Sequence, residues 1–281
     1  MVGKNAVREF KSAAWKSKQG AKRYAKSVNK EVTLSDVDLR TQLALIGEYL
    51  PKGSSVLDVG AGTGALALPL AREGYIVTAT DISDEMLKKL KGFDREDRIK
   101  VLVADLFDQN ALTSTGPFGG AVSRWFLPHF VEWGRIVSAV AACLSPGGIF
   151  VFDMPSRAHV EKASALGEIT PEQFGYDHGE NASSVNPFYF YQAQTDDEVR
   201  NVLSGAGMEF VDRVPYGLFK SNMLIALAVG PEKWIELSNV VNRSVKMEDG
   251  LAEIIFGLEA SITRYLPAEM VHGSFVVARK P

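Results

Sequence analysis

A single cysteine, Cys143, stands in 281 residues, so no internal disulfide can form and no thiolate cluster can hold a structural metal. That scarcity points to a reducing compartment, and a cytoplasmic protein is expected. No run approaches the roughly 20 apolar residues that span a bilayer, and the N-terminus lacks the apolar core of a signal peptide, so no membrane partner is expected. Neither sign of charge is in large excess: the net value is −3, which argues against a chain built to coat nucleic acid. No internal repeat or low-complexity linker divides the chain, and 46% hydrophobic residues suffice for one core with elaborations.

What the sequence does contain is the stretch VLDVGAGTGA, residues 56–65. Val56, Leu57 and Val59 form a short apolar run interrupted by Asp58, and the run stops at Gly60, Gly62 and Gly64. This reads as a buried strand, a tight turn and a helix beginning near Gly64. Alternate glycines admit positive φ and bring bare backbone to a ligand, while a helix N-terminus offers unpaired N–H groups. The dinucleotide spacing G-x-G-x-x-G is absent. Asp58 would be awkward beside a pyrophosphate but suits a positively charged group such as an ammonium or a sulfonium. The competing reading is a similar turn that holds no ligand.

This acidic, apolar, G-x-G-x-G pattern resembles the class I S-adenosylmethionine-dependent methyltransferases, small-molecule type, similar to the ubiquinone-biosynthesis group. Two further acidic positions fit it. Asp81 follows the predicted strand at residues 75–79, where a carboxylate can accept both hydroxyls of a ribose. Ser83 is the more natural cap for a helix over residues 84–91. The strand at residues 98–104 ends at Asp105; the resemblance implies that this carboxylate accepts the adenine amine while the N–H of Leu106 meets a ring nitrogen. It also assigns cofactor contacts to Gly60, Ala61, Gly62, Gly64 and Ile82. Met86 either packs on adenine or belongs to the core. A fourth strand is predicted over residues 121–126, and Ser123 is small enough to let the methionine part of the cofactor lie close.

Later signals are the turn SPGG at residues 145–148, strands at 149–153, 208–214 and 271–279, and a helix at 195–207. Upstream, residues 34–50 carry a helical apolar face. A helix over residues 65–73 contains Pro69, which removes a backbone donor and conflicts with that assignment. The residues from 131 to 144 form another helix, with Cys143 on its buried face. The resemblance implies an α/β fold: a Rossmann-like doubly wound seven-stranded sheet with an antiparallel last strand, with S-adenosylmethionine as cofactor and S-adenosylhomocysteine as product.

Residues 1–31 hold nine basic groups against two acidic ones, with apolar residues at roughly helical spacing. Such a segment can be a packed helix with a solvated basic face, a lid over the cofactor or an RNA-binding arm. The resemblance favours the lid, with Trp15 and Tyr24 against ligand. The expected organisation is a helical lid at 1–33 and a cofactor-binding domain at 34–281, with cap insertions at 155–194 and 215–270. Phe174, Tyr176, Tyr189 and Tyr191 in the first insertion, with Trp15 and Trp125, are expected to hold an apolar or aromatic acceptor. Dimerisation or plain cap packing would use the same aromatics, and a monomer or a homodimer is expected.

Methyl transfer from a sulfonium requires alignment and exclusion of water. A base is needed only when the acceptor loses a proton. His129, after the fourth strand, is the first candidate and His178, beside Asp177, the second; His159 and His272 read as peripheral. The expected activity is transfer to an oxygen or nitrogen of a small metabolite, without a metal. RNA modification, or a cofactor-binding enzyme that transfers no methyl group, are the alternatives. No N-P-P-Y-like motif follows the fourth strand, so nucleic acid is not the expected partner.

Overall fold

The apolar run ahead of the glycines becomes strand β1 (Ser55–Val59), the centre of the molecule. Side chains alternate between the two faces of a strand, so Val56 and Leu57 enter different cores. Leu57 joins Phe150 and Phe152 on one face, and Val56 joins Val77, Val151 and Phe275 on the other. The structure, a computed structural model, describes residue 16 and residues 34–108, 111–112, 115–167, 192–218, 228, 230, 233 and 249–281. Trp15, Tyr24, Phe174, Tyr176, His178, Tyr189 and Tyr191 lie outside the described residues.

Strands β2 (Ile76–Asp81) and β4 (Phe118–Ser123) flank β1 in parallel, β3 (Lys100–Val103) pairs with β2, and β5 (Leu144–Pro155) pairs with β4. The last strand, β7 (Gly273–Arg279), runs antiparallel between β5 and β6 (Glu209–Tyr216). The resulting order is β3-β2-β1-β4-β5-β7-β6, the doubly wound sheet with an antiparallel last strand that the sequence implies. Helices α1 (Leu34–Tyr49) and α2 (Ala67–Arg72) cover one face. Helix α3 (Asp84–Phe93) follows β2, and α4 (Trp133–Cys143) and α6 (Asp196–Gly205) cover the other face. Two further helices, α5 (Arg157–Gly167) and α7 (Asp249–Ile262), lie between β5 and α6 and between β6 and β7. Cys143 is buried, donates to the Val140 carbonyl over 3.1 Å, and has its pKa pushed up to about 11 by burial.

Three boundaries differ from the expectation. Helix α2 starts at Ala67, which places Pro69 in the first turn, where a missing N–H costs little. Strand β4 starts at Phe118 and stops at Ser123 rather than covering residues 121–126. Gly120 is inside this strand, where Leu50, the residue that follows α1, packs on it: a Cβ there would lie 2.4 Å from a Leu50 methyl carbon. The strand stops because Trp125 takes a φ of +53°. The SPGG residues lie within β5, which advances from Leu144 to Ile149 while β4 advances from Phe118 to Gly120. The segments that follow β5 and β6 both leave the sheet at its carboxyl edge: Pro155 pairs with Gly273, which pairs with Tyr216 on the other side.

Candidate active site

All three glycines of the turn have positive φ, +71° at Gly60, +53° at Gly62 and +92° at Gly64, a region that side-chain-bearing residues rarely adopt. The turn is tied to β2 by two backbone donors. Ala61 N–H reaches the Thr80 carbonyl over 2.9 Å, and Gly62 N–H reaches Asp81 Oδ2 over 3.0 Å.

Asp81 is the last residue of β2 and is half-buried. Its Oδ1 accepts Ser83 N–H over 2.8 Å. Burial raises its pKa, and the Ser83, Gly62 and Ile82 amides oppose that rise. A carboxylate has about four lone-pair sites, so these three amides leave room for a further donor. Ser83 is the cap of α3, accepting Met86 N–H over 3.4 Å. Asp105 stands two residues beyond β3, with Oδ1 accepting Phe107 N–H over 3.0 Å. Asp58 is fully buried in β1. Burial lifts its pKa to about 7, the Ala67 amide opposes this, and the charge of Asp81 adds to it. Its Oδ2 has no hydrogen-bond partner among the described residues.

Above these strand ends lies a cavity of about 750 Å³, part of it open to solvent. At one end the wall is Gly60, Gly62, Asp81, Ile82, Met86, Ala104, Asp105, Leu106 and Phe107. This pairs two carboxylates with an apolar slot suited to a nucleoside. At the other end the wall is Arg124, Trp125, Phe126, His129 and Phe130. Phe130 packs edge-on against Phe107 and Phe126, with centroids 5.2 and 5.0 Å apart. His129 is buried in a 3-10 turn, Leu127–His129, that directly follows Phe126.

Of the residues predicted from sequence, Asp58, Ala61, Gly64 and Ser123 do not reach the wall. Ser123 is fully buried and its hydroxyl donates to the Val59 carbonyl over 3.1 Å. Met86 is 2% exposed, in the core, and also stands on the wall. Sequence reasoning missed Arg124, Phe126, Phe130 and Phe107 as wall residues. The signal was present as the aromatic run WFLPHF at residues 125–130. Arg124 is steadied by Gln42 of α1, whose Oε1 accepts from the guanidinium at 3.2 Å while its Nε2 donates to the Ser123 carbonyl at 2.8 Å.

His159 and His272 do not stand on the cavity wall and are buried, 0% and 5% exposed. His272 lies 5.6 Å from the Trp125 ring. Nδ1 of His159 donates to the Glu269 carbonyl at 2.7 Å, and burial lowers its pKa. Among the described residues, no group of His, Cys, Asp and Glu is placed to hold a metal, and no helix is long and apolar enough to cross a membrane.

A sheet in this order, with carboxylates on or just beyond β1, β2 and β3 around a glycine turn, has the class I fold of S-adenosylmethionine-dependent methyltransferases. The model of the methyltransferase-domain family matches residues 33–209, and the chain belongs to that family, whose cofactor is S-adenosylmethionine. A ubiquinone biosynthesis O-methyltransferase from Caulobacter sp. (strain K31) is 30% identical over 122 residues, 43% of this chain and 48% of the relative. The chain spans about half the length of the curated relatives it matches. Magnesium protoporphyrin IX methyltransferase from Synechocystis PCC 6803, solved with S-adenosylhomocysteine, superposes with a TM-score of 0.60 at 12% identity, covering 98% of this chain and 100% of that one. A 4+2 cyclase superposes with a TM-score of 0.54 at 19% identity, covering 89% and 84%. The residues fit the cofactor: Asp81 and Asp105 stand on one wall together with the apolar Ile82, Met86 and Leu106 and the bare backbone of Gly60 and Gly62.

Proposed function

We propose that the protein transfers a methyl group from S-adenosylmethionine to an oxygen or nitrogen of a small, apolar or aromatic metabolite. The observation that carries this reading is one cavity with a nucleoside-type end at Asp81 and Asp105 and an aromatic end at Trp125, Phe126 and Phe130. The bound cofactor supplies an activated methyl group on a positive sulfur. The chain itself needs to bind, orient and dry the reactants, and fixed orientation is worth up to about 7–11 kcal/mol of barrier.

Asp81 accepts the ribose hydroxyls, and Asp105 with the Leu106 amide reads the adenine edge. Ile82, Met86 and Phe107 pack against the ring, and the open backbone of Gly60 and Gly62 lets the amino-acid end approach. Phe126 and Phe130 exclude water from the acceptor end, Trp125 bounds it, and His129 takes the proton of a hydroxyl or ammonium acceptor. On this reading the segments 1–33, 155–194 and 215–270 supply the lid and the cap; the latter two leave the sheet at the carboxyl ends of β5 and β6. Incubation with methyl-labelled S-adenosylmethionine and a panel of phenols, catechols and aromatic amines tests the reading. Label in a small product, with stoichiometric S-adenosylhomocysteine, supports it. Label entering RNA only, or cofactor binding with no turnover of any panel member, contradicts it.

A further inference from the structure

Trp125 is one of two residues other than glycine with positive φ among the described residues, and the other, Asp97, lies in an exposed turn. A bulky aromatic in this region is strained, and such strain persists only where the surroundings hold it. What holds it is on another strand. The Trp125 N–H donates over 2.7 Å to Oδ1 of Asp153, which is 1% exposed near the carboxyl end of β5.

The consequence is a split in the chain after β4. The indole of Trp125 turns toward the core of α1, 5.6 Å from the His272 ring and 6.4 Å from that of Tyr216. Phe126 turns to the other side, against Phe130 and the core of α4. The two aromatics thereby diverge and both stand on the cavity wall. A buried carboxylate is costly to the fold, and an apolar residue of the same volume would be cheaper. Oδ2 of Asp153 has no hydrogen-bond partner among the described residues, while Oδ1 accepts the Trp125 N–H. Burial also pushes the pKa of Asp153 up to about 6, with the charge of Arg124 opposing and that of Asp38 adding.

We infer that Asp153 is a positioning residue of the acceptor wall: its carboxylate oxygen locks Trp125 in the left-handed conformation that separates the Trp125 and Phe126 rings across the cavity mouth. This rests on the reading of that wall as the acceptor's side.

The test is fluorine NMR of the full chain labelled with 5-fluorotryptophan, which reports four tryptophans, with the Trp125 signal assigned from Trp125→Phe. Asn keeps an oxygen acceptor at the position and Ala does not. Asp153→Asn should leave the Trp125 signal in place. Asp153→Ala should shift or broaden it while the Trp133 signal and the affinity for S-adenosylhomocysteine stay within about threefold of wild type. An unmoved Trp125 signal in Asp153→Ala, or equal movement in both variants, overturns the inference. Should Asp153→Ala not fold, amide exchange in the wild type decides: a protected Trp125 N–H supports the lock, and free exchange overturns it. Loss of S-adenosylhomocysteine binding by the wild type would instead count against the cofactor site, since the two Trp125 comparisons need no ligand.

Discussion

The ring of Phe126 occupies the space that a Cβ on Gly60 would need: an ideal Cβ there lies 2.2 Å from two ring carbons. The first glycine of the turn is therefore required by a residue 66 positions away as well as by its own φ of +71°. Gly60→Ala should cost roughly 1–2 kcal/mol for the left-handed backbone and about 1–3 kcal/mol for overpacking. Urea denaturation measures the sum. Phe126→Ala in that background should return the packing share and leave the backbone share. Wild-type stability in Gly60→Ala would mean that the close approach is not made.

Asp58 gives a pH signature. Its pKa is raised from 3.8 to about 7, so between those values the folded protein holds a proton that the unfolded chain releases. Stability from this group therefore falls as pH rises from about 4 to about 7 and is flat above. Asp58→Asn should remove that part of the slope in a series of Tm measurements, while the smaller slope from Asp153, raised to about 6, remains. An identical slope in wild type and Asp58→Asn would contradict the buried, raised carboxylate.

The three acidic positions and the glycines were legible because each is set by local chain logic: an apolar run, a turn that only glycine fits, and a carboxylate where a strand ends. The aromatic end of the cavity was legible only in part. Trp125 was assigned to the acceptor side, but its conformation depends on Asp153, 28 positions on, and the burial of His272 on strands that meet only in the folded sheet. Gly120 lies in β4, where it admits Leu50, the residue that follows α1. Pro69 marked the first turn of α2, which the apolar spacing alone placed two residues too early. Ser123 was expected at the ligand, yet its hydroxyl is committed to the Val59 carbonyl, a pairing set by the register between β1 and β4.

His129 is placed to act as a base, being buried and on the wall at the aromatic end. With an acceptor identified by label transfer, His129→Ala should lower kcat by about 10²–10⁴-fold and leave the affinity for S-adenosylhomocysteine within a fewfold range. Full turnover from pH 6 to 9 in this variant would remove His129 from the proton path.

The most direct measurement is calorimetric titration of S-adenosylhomocysteine, and separately of NAD, into the wild type and Asp81→Ala. The account predicts micromolar binding of S-adenosylhomocysteine, silence with NAD, and a loss of about 100-fold or more in Asp81→Ala, since two hydrogen bonds to a charged group are each worth about 1.5–3 kcal/mol. Equal binding by the wild type and Asp81→Ala, or heat from NAD alone, would contradict it.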